Sequence, residues 1–279
     1  MFKITEQDMA AFRKYLKEQE YSHATIQKYI HDVRLLLEYS GGEIRDRNHL
    51  NGFRGYLEQK KYTGSSINSM LGAVNKFLLF LGQDCKLRYL KVQRRNFVAE
   101  DRVLAQEEYE RLAQAAEANG DRRLAMLLQT LCALGIRVSE LSAITVESLN
   151  KGEAVIRNKG KQRTILISRV LEKKLRKYCA DRGLEKGPIF VTRTGRPLDR
   201  SNIWKMLKKL AELAKVAIEK VFPHNLRHLF ARTYYNMYKD VVRLADILGH
   251  SSIDTTRIYT AQSGHEERRQ LDRLRLVLR

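Results

Sequence analysis

Apolar side chains recur every three or four positions through residues 5–82, and this spacing limits what the chain can fold into. A period of about 3.6 residues is that of an α-helix with one buried face. The pattern predicts four helices, which begin at Thr5 or Asp8, at Ser22 or Thr25, near Leu50, and after Gly64 with Ser65 or Ser66 as the cap. Four helices in so short a stretch predict a small helical bundle.

The helical spacing stops near residue 83, where a polar and basic stretch begins. We interpret residues 92–102 as an interdomain linker that follows a helical domain at 1–91. Basic residues at its edge, Lys91, Arg94 and Arg95, allow two interpretations. They could lie on the phosphates of a nucleic acid, or they could belong to a linker that is simply charged and solvated.

The remaining residues, 103–279, show a mixed pattern. Helical spacing predicts helices at 106–118, 122–134, 138–145, 169–182, 200–213, 224–238 and 240–248. A β-hairpin is predicted at 153–167, with an Asn- and Gly-containing turn at 158–161, and a short strand is expected at 188–191. The predicted fold class is mainly α with a small β-hairpin, in which an N-terminal helical bundle precedes an α+β domain.

The charge of the chain points to a polyanionic partner. Its 279 residues include 52 Lys and Arg against 32 Asp and Glu, which gives a net charge of +20 and a pI of about 9.9. A chain this basic most often meets nucleic acid. An anionic membrane surface fits poorly, because no apolar run approaches the ~18 residues of a membrane-spanning helix.

The start of the chain and its cysteines bear on its compartment. The first ten residues are polar and do not resemble a signal peptide, so we expect a cytoplasmic protein. Three cysteines, Cys85, Cys132 and Cys179, are too few and too scattered to predict a disulfide framework or a zinc site. We expect them to be reduced and partly buried on helix faces.

His224 and Arg227 stand three positions apart, just after Pro223, a residue that favours a helix start. On a helix they share a face, where an imidazole that can titrate lies beside a permanently charged guanidinium. His228 would turn off that face, so we expect it to have a structural role. The plainer interpretation of the motif is a helix start with incidental polar residues.

Other polar residues stand at breaks between the predicted helices. Arg137 follows Gly135 between two apolar segments, where an unpaired arginine would be destabilising. His250 lies just past a helix-ending glycine, and Tyr259 follows nine residues later. Lys159 lies at the hairpin turn, from which its side chain could reach a ligand.

Together these residues resemble the tyrosine recombinase, or phage integrase, family. The motifs that carry the resemblance are GIRVSEL (135–141), NKGKQR (158–163), HNLRH (224–228), LGHSS (248–252) and TTRIY (255–259). Their order is similar to the family's Arg–Lys–His-x-x-Arg–His–Tyr signature, and the N-terminal helices look like its core-binding domain. The resemblance implies a site-specific recombinase whose catalytic domain spans 103–279.

The resemblance also implies which residues break the DNA strand. Tyr259 would attack the scissile phosphate and form a 3′-phosphotyrosyl bond. His224 would remove the phenol proton, which a free tyrosine holds with a pKa of about 10. Lys159, or alternatively Lys161, would protonate the leaving 5′-oxygen.

Three further residues would hold the phosphate. Arg137 and Arg227 would bind its two non-bridging oxygens as negative charge builds, and His250 would add a hydrogen bond. Because these side chains supply the positive charge, no metal and no nucleotide cofactor is expected. Glu140 matches an acidic position of the first motif and would orient groups around Arg137, with a surface role as the alternative.

The last amphipathic stretch, 266–278, carries Leu271, Leu274 and Leu278 on one face. It could pack on its own domain, as terminal helices often do. In related recombinases such a helix docks on a neighbouring protomer, so the resemblance favours an oligomerisation helix and a homotetramer on DNA. The expected substrate is double-stranded DNA with an inverted-repeat site.

Two other functions compete with recombination. A type IB topoisomerase uses a similar set of residues to relax supercoils as a monomer. A basic DNA-binding protein without catalysis would also explain the charge and the helices. Such a protein would have no use for a hairpin lysine, two histidines and a late tyrosine in this order, and the small N-terminal bundle favours a recombinase over a topoisomerase.

Overall fold

The chain forms two compact units, Met1–Arg94 and Arg95–Arg279. A computed structural model describes residues 2–92, 102–158, 161–192, 194–250, 252–259, 268–269 and 272–273. Each unit encloses its own hydrophobic core. Most of the predicted linker and most of the predicted C-terminal helix lie outside the described residues.

Helices dominate the described part of the first unit, where they are α1 (Glu6–Glu18), α2 (His23–Ser40), α3 (Arg47–Gln59) and α4 (Gly64–Phe80). Each begins where a side-chain oxygen accepts a backbone N–H of the first turn. The capping residues are Thr5, Ser22, Asp46 and Thr63. Aromatic and aliphatic side chains then fill the core, among them Phe12, Leu36, Phe53 and Phe77.

Two boundaries in the first unit differ from the prediction. Helix α3 begins at Arg47 instead of near Leu50, because the side chain of Asp46 caps its first turn. Helix α4 is capped by Thr63 and not by Ser65 or Ser66. A short antiparallel sheet was also missed: β1 (Phe2–Lys3) pairs with β2 (Glu43–Ile44), and two residues are too few to show an alternating pattern.

The described part of the second unit contains α5 (Gln106–Ala118), α6 (Arg122–Leu134), α7 (Val146–Lys151), α8 (Arg169–Asp181), α9 (Arg200–Leu213), α10 (Pro223–Tyr238) and α11 (Val241–Leu248). Helix α6 lies at the centre of the core, with Leu127, Leu128 and Leu131 fully buried. It ends at Gly135, whose φ of 58° is left-handed. This buried helix end supports the turn that leads to Arg137.

The hairpin forms as predicted, with slightly different bounds. Strand β3 (Glu153–Asn158) pairs antiparallel with β4 (Lys161–Leu166), in a register that places Ile156 opposite Arg163. Ala154, Ile156 and Ile165 are buried in the core, so the alternating strand pattern fixes one face of the hairpin inward.

Two local predictions in the second unit were wrong. The helix expected at 138–145 is a 3₁₀-helix, Val138–Ala143, closed by a capping interaction between Arg137 and Glu140. The strand expected at 188–191 is reduced to isolated bridges, in which Thr145 pairs with Pro188 and Val191 with Pro197. Proline lacks a backbone N–H and cannot continue a ladder. The fold class, mainly α with a small hairpin, is confirmed.

Candidate active site

The turn after α6 places Arg137 at the start of the 3₁₀-helix. Its backbone N–H donates to Oε2 of Glu140 at 2.9 Å, and its Nη1 donates to Oε1 at 2.8 Å. The Glu140 side chain is 2% exposed, whereas that of Arg137 is 33% exposed. Arg137 is therefore held by Glu140 while a third of its side chain stays open to solvent.

Arg227 lies on α10 and is 1% exposed, which is rare for an arginine. Its Nη1 donates to the carbonyl of Gly135 at 2.7 Å, and its Nη2 donates to the carbonyl of Leu248 at 2.8 Å. Arg227 thus ties the ends of α6 and α11 together. Burial is the main cause that lowers its pKa, followed by the charge of Arg137.

The third guanidinium nitrogen of this buried arginine, Nε, differs from the other two in its hydrogen bonding. Among the described residues, the Nε atom of Arg227 has no hydrogen-bond partner, although it is shielded from solvent. A buried donor left unpaired is destabilising, so most such groups are paired in folded proteins. An anion bound beside Arg227 would satisfy it.

His250 follows the glycine that ends α11 and lies beside Arg227. Its Nε2 is 3.0 Å from Nη2 of Arg227, and its Nδ1 is 2.7 Å from Oγ1 of Thr256. Thr256 is fully buried. Because a guanidinium only donates, Nε2 of His250 accepts, and its Nδ1 carries the proton that bonds Thr256.

Tyr259 lies on a short 3₁₀-helix, Arg257–Tyr259, and is 3% exposed. Its backbone N–H donates to the carbonyl of Thr256 at 2.9 Å. Its ring lies 6.0 Å from that of His250, nearly parallel, and 4.8 Å from that of His228, nearly perpendicular. The tyrosine therefore lies among histidine rings beside the buried arginine.

The expectation for His228 was wrong in one respect. Its ring lies 4.7 Å from that of His224, so it does not turn off the face that carries His224. Residues four apart on a helix are surface neighbours, and this spacing could have revealed the contact. His228 thus contacts both His224 and Tyr259.

Burial, together with the positive charge of the site, keeps its imidazoles neutral. Burial is the largest cause that lowers the pKa of His228 and of His250 to about 4, and nearby arginines add to it. Partial loss of solvation is also the largest cause that lowers the pKa of His224, followed by the charges of Arg227 and Arg137. A neutral His224 near pH 7 can accept a proton.

Two residues that sequence reasoning missed complete the arrangement. Arg163, on β4, donates to both carboxylate oxygens of Glu140 and to the carbonyl of Ile247. Thr256 holds His250 through the bond described above. A buried glutamate needs a charged partner, so the position of Glu140 in an apolar segment was the one available signal for Arg163.

The remaining predicted residue cannot be placed in this geometry. Lys159 lies outside the described residues, and of its alternative, Lys161, the structure shows only that it begins β4 opposite Asn158.

Elsewhere in the described parts of the chain, no three His, Cys, Asp or Glu residues are grouped to hold a metal ion. Within those same parts, no helix has the length and hydropathy to cross a bilayer.

Tyr234, Tyr235 and Tyr238, the other tyrosines near the site, lie along α10. The rings of Tyr234 and Tyr238 lie 4.8 Å apart, and Tyr234 and Tyr235 pack against a small apolar cluster that includes Tyr259. Tyr259 differs from them by its place beside Arg227 and His250. The geometry therefore groups five of the predicted residues, Arg137, His224, Arg227, His250 and Tyr259.

Comparison with known proteins places the chain in a family. Residues 102–266 match the phage integrase family, and residues 9–84 match the phage integrase N-terminal SAM-like domain. The tyrosine recombinase XerA of Thermococcus kodakarensis is 31% identical over an alignment of 276 positions, which covers 95% of this chain and 94% of that protein.

Solved structures agree in fold. The XerH site-specific recombinase bound to palindromic difH substrate matches 97% of this chain and 84% of its own, with a TM-score of 0.71 at 19% identity. A lambda integrase (75–356) dimer bound to a COC′ core site matches 93% and 96%, with a TM-score of 0.74 at 16% identity. From these matches over both of its units, the chain belongs to the phage integrase family and is a tyrosine recombinase.

Proposed function

We propose that this recombinase cleaves and rejoins DNA at a specific site, with Tyr259 as the nucleophile. The observation that carries the proposal is the buried Arg227, whose Nε has no partner among the described residues and which lies beside His250. A guanidinium with one free, desolvated donor suits a phosphate oxygen. Tyr259 lies next to this position through its contact with His250.

The chemistry assigns one role to each group. The phenol oxygen of Tyr259 attacks phosphorus, its proton passes to His224, and the bond from phosphorus to the 5′-oxygen breaks. Lys159, or alternatively Lys161, gives the leaving oxygen its proton. The products are a 3′-phosphotyrosyl bond and a free 5′-hydroxyl, and attack by another 5′-hydroxyl reverses the step and joins new strands.

Charge in the transition state is met by fixed donors. Arg137 and Arg227 bind the non-bridging oxygens, where negative charge increases as the fifth bond forms. His250 joins them when the phosphate replaces it at Nη2 of Arg227: in the other tautomer its Nδ1 accepts from the Thr256 hydroxyl and its Nε2 donates to the phosphate. Donors already held in place are worth about 3 to 4 kcal/mol each for such a charge. Arg137 is held by Glu140, and Arg227 by two carbonyl groups, so neither needs to reorganise.

The substrate in this proposal is double-stranded DNA that carries inverted repeats around a short spacer. The net charge of +20 supports a duplex as the ligand, because phosphate contacts dominate its affinity. The related XerH recombinase was solved with a palindromic site. Both the N-terminal unit, predicted at 1–91, and the catalytic domain, predicted at 103–279, would contact the duplex, in the cytoplasm.

A homotetramer would bring two such duplexes together. The stretch at 266–278 follows Tyr259 closely, so we propose that it docks on a neighbouring protomer and that assembly helps to position the nucleophile. Deleting the residues after 264 should weaken cleavage and leave binding to a single site largely intact. Unchanged strand exchange by the truncated chain would contradict this part of the proposal.

The test of the function uses nicked suicide duplexes made from inverted repeats in the DNA that flanks the gene. The nick releases the short fragment that carries the free 5′-hydroxyl, so the cleaved strand cannot be rejoined. We therefore expect a protein–DNA adduct that survives denaturant. No adduct with the native chain would contradict the mechanism. If the monomeric protein efficiently relaxes a plasmid that lacks such repeats, the result would instead favour a type IB topoisomerase.

A further inference from the structure

Arg163 links three motifs that are distant in sequence. It lies on β4, and its side chain is 14% exposed. Its Nη1 and Nη2 donate to the two carboxylate oxygens of Glu140 at 3.0 and 2.8 Å, and its Nε donates to the carbonyl of Ile247 at 3.1 Å. All three guanidinium nitrogens of Arg163 therefore donate to the protein.

At one end this network reaches Arg137. The Oε1 atom of Glu140 accepts from both Arg163 and Arg137, and its Oε2 atom accepts from Arg163 and from the backbone of Arg137. A buried carboxylate with four such bonds is firmly held. Although burial would raise its pKa, the bonds from Arg163 and Arg137 hold the pKa of Glu140 at about 2.

At the other end the network reaches His250. Ile247, whose carbonyl binds Arg163, precedes Leu248, whose carbonyl binds Arg227. Gly249 then turns with a φ of 67°, and a Cβ there would lie 2.7 Å from Cδ of Arg163. The arginine side chain therefore packs directly against the turn that presents His250.

We propose that Arg163 is a positioning residue that sets the spacing between Arg137 and His250 for phosphate binding. The inference rests on the proposed function, in which those two residues contact the scissile phosphate. Arginine suits the task because its planar fork bonds a carboxylate with two nitrogens and still has a third to donate. A lysine presents a single point charge and cannot hold both partners in one plane.

The central experiment measures single-turnover cleavage by the native chain and by Arg163→Lys on three scissile groups. These are the normal phosphodiester, a methylphosphonate that lacks one non-bridging charge, and a 5′-bridging sulfur whose thiolate leaves without a proton. Misplaced donors should slow the phosphodiester reaction by about 10- to 100-fold. On the methylphosphonate, which has less charge to bind, Arg163→Lys should be slowed several-fold less relative to the native chain. On the sulfur substrate it should be slowed as much as on the phosphodiester.

Two outcomes would overturn the inference. An equal defect on the phosphodiester and the methylphosphonate would mean that Arg163 does not act on phosphate charge. A defect that disappears on the sulfur substrate would mean that Arg163 acts on the leaving group, through the hairpin lysine. If the native chain itself forms no adduct, the proposed function fails, which is a separate result.

Folding is controlled with a matched variant and with melting curves. Arg157→Lys changes an arginine of β3 whose Nε donates to the exposed Gln162, and it should cleave like the native chain. Arg163→Lys keeps a positive charge beside Glu140 and leaves the bonds between Glu140 and Arg137 in place. At a temperature where the melting curves show both chains folded, slow cleavage by Arg163→Lys supports the positioning role, and cleavage at the native rate contradicts it.

Discussion

The Nη2 atom of Arg227 lies 3.0 Å from the Nε2 atom of His250, although 23 positions separate the two residues. The contact fixes the tautomer of His250, because only an unprotonated Nε2 can accept from a guanidinium. The proton is then on Nδ1, which donates a hydrogen bond to the hydroxyl of Thr256 at 2.7 Å. Arg227, His250 and Thr256 form a chain that runs from the buried cation to the segment bearing Tyr259.

Thr256→Val should break this chain with little change in volume. Without its hydroxyl partner His250 can rotate, so we expect cleavage to fall by about 10- to 100-fold while DNA binding persists. Thr255→Val is the matched control, since Thr255 is exposed and donates to the carbonyl of Ser252. Equal rates for the two variants in a suicide-substrate assay would contradict this account of His250.

His228 should act on Tyr259 through its ring. His228→Ala removes the ring that packs against both His224 and Tyr259, and we expect cleavage to fall by roughly tenfold because the tyrosine loses a fixed neighbour. His228→Phe keeps an aromatic ring and should retain most of the activity. If the phenylalanine variant is as slow as the alanine variant, the imidazole itself takes part in the reaction.

Stability should fall as pH drops from about 6.5 to 4.5. His228 and His250 have pKa values of about 4 in the folded chain, below the unfolded value of about 6.5, so the unfolded state binds protons first. Each pKa unit is worth about 1.4 kcal/mol, and the loss ends near pH 4. Glu140, whose pKa is about 2, loses its contribution only below about 4.5, so this window reports on the histidines.

Thermal unfolding at pH 7, 6, 5 and 4.5 measures this dependence. His228→Phe removes one titrating group and should flatten the curve. A melting temperature that is constant over this range, or one that rises on acidification, would show that these histidines are not held neutral.

Alanine substitutions at two glycines distinguish the energetic cost of backbone strain from that of close packing. Gly135 and Gly183 have nearly equal φ values, 58° and 61°, but a Cβ at Gly135 would lie 2.4 Å from the ring of Phe230, whereas one at Gly183 meets nothing within 4 Å. We expect Gly183→Ala to reduce the free energy of unfolding by about 1 kcal/mol and Gly135→Ala by about 2 to 4 kcal/mol. Equal losses in urea unfolding would refute the packing of α10 against this turn.

Much of the helical framework could be predicted, because each long helix buries one face. The bounds of α5, α6 and α9 follow directly from the spacing of their apolar residues. Short elements could not be predicted in this way. Six residues in α7 and two in β1 are too few to show a period, and the segment after Arg137 became a 3₁₀-helix because Glu140 bonds back to it.

The candidate site could be predicted only as a set of motifs. Sequence order identified Arg137, Arg227 and His250, but it gave no contacts between them. Arg163 binds Ile247 across 84 positions, and such a pairing has no local signal in one chain. His228 was misassigned although its spacing from His224 was visible, so there the sequence held the information.

Strand cleavage in the proposed mechanism depends most directly on Tyr259, and one measurement tests this role. The native chain, Tyr259→Phe and Tyr238→Phe are incubated with a nicked suicide duplex, and denaturant-resistant adducts are counted. The phenylalanine at 259 keeps the ring contacts but lacks the nucleophilic oxygen, so we expect normal DNA binding and no adduct, while Tyr238→Phe, altered at an exposed ring, should react normally. An adduct that persists in Tyr259→Phe would contradict the mechanism.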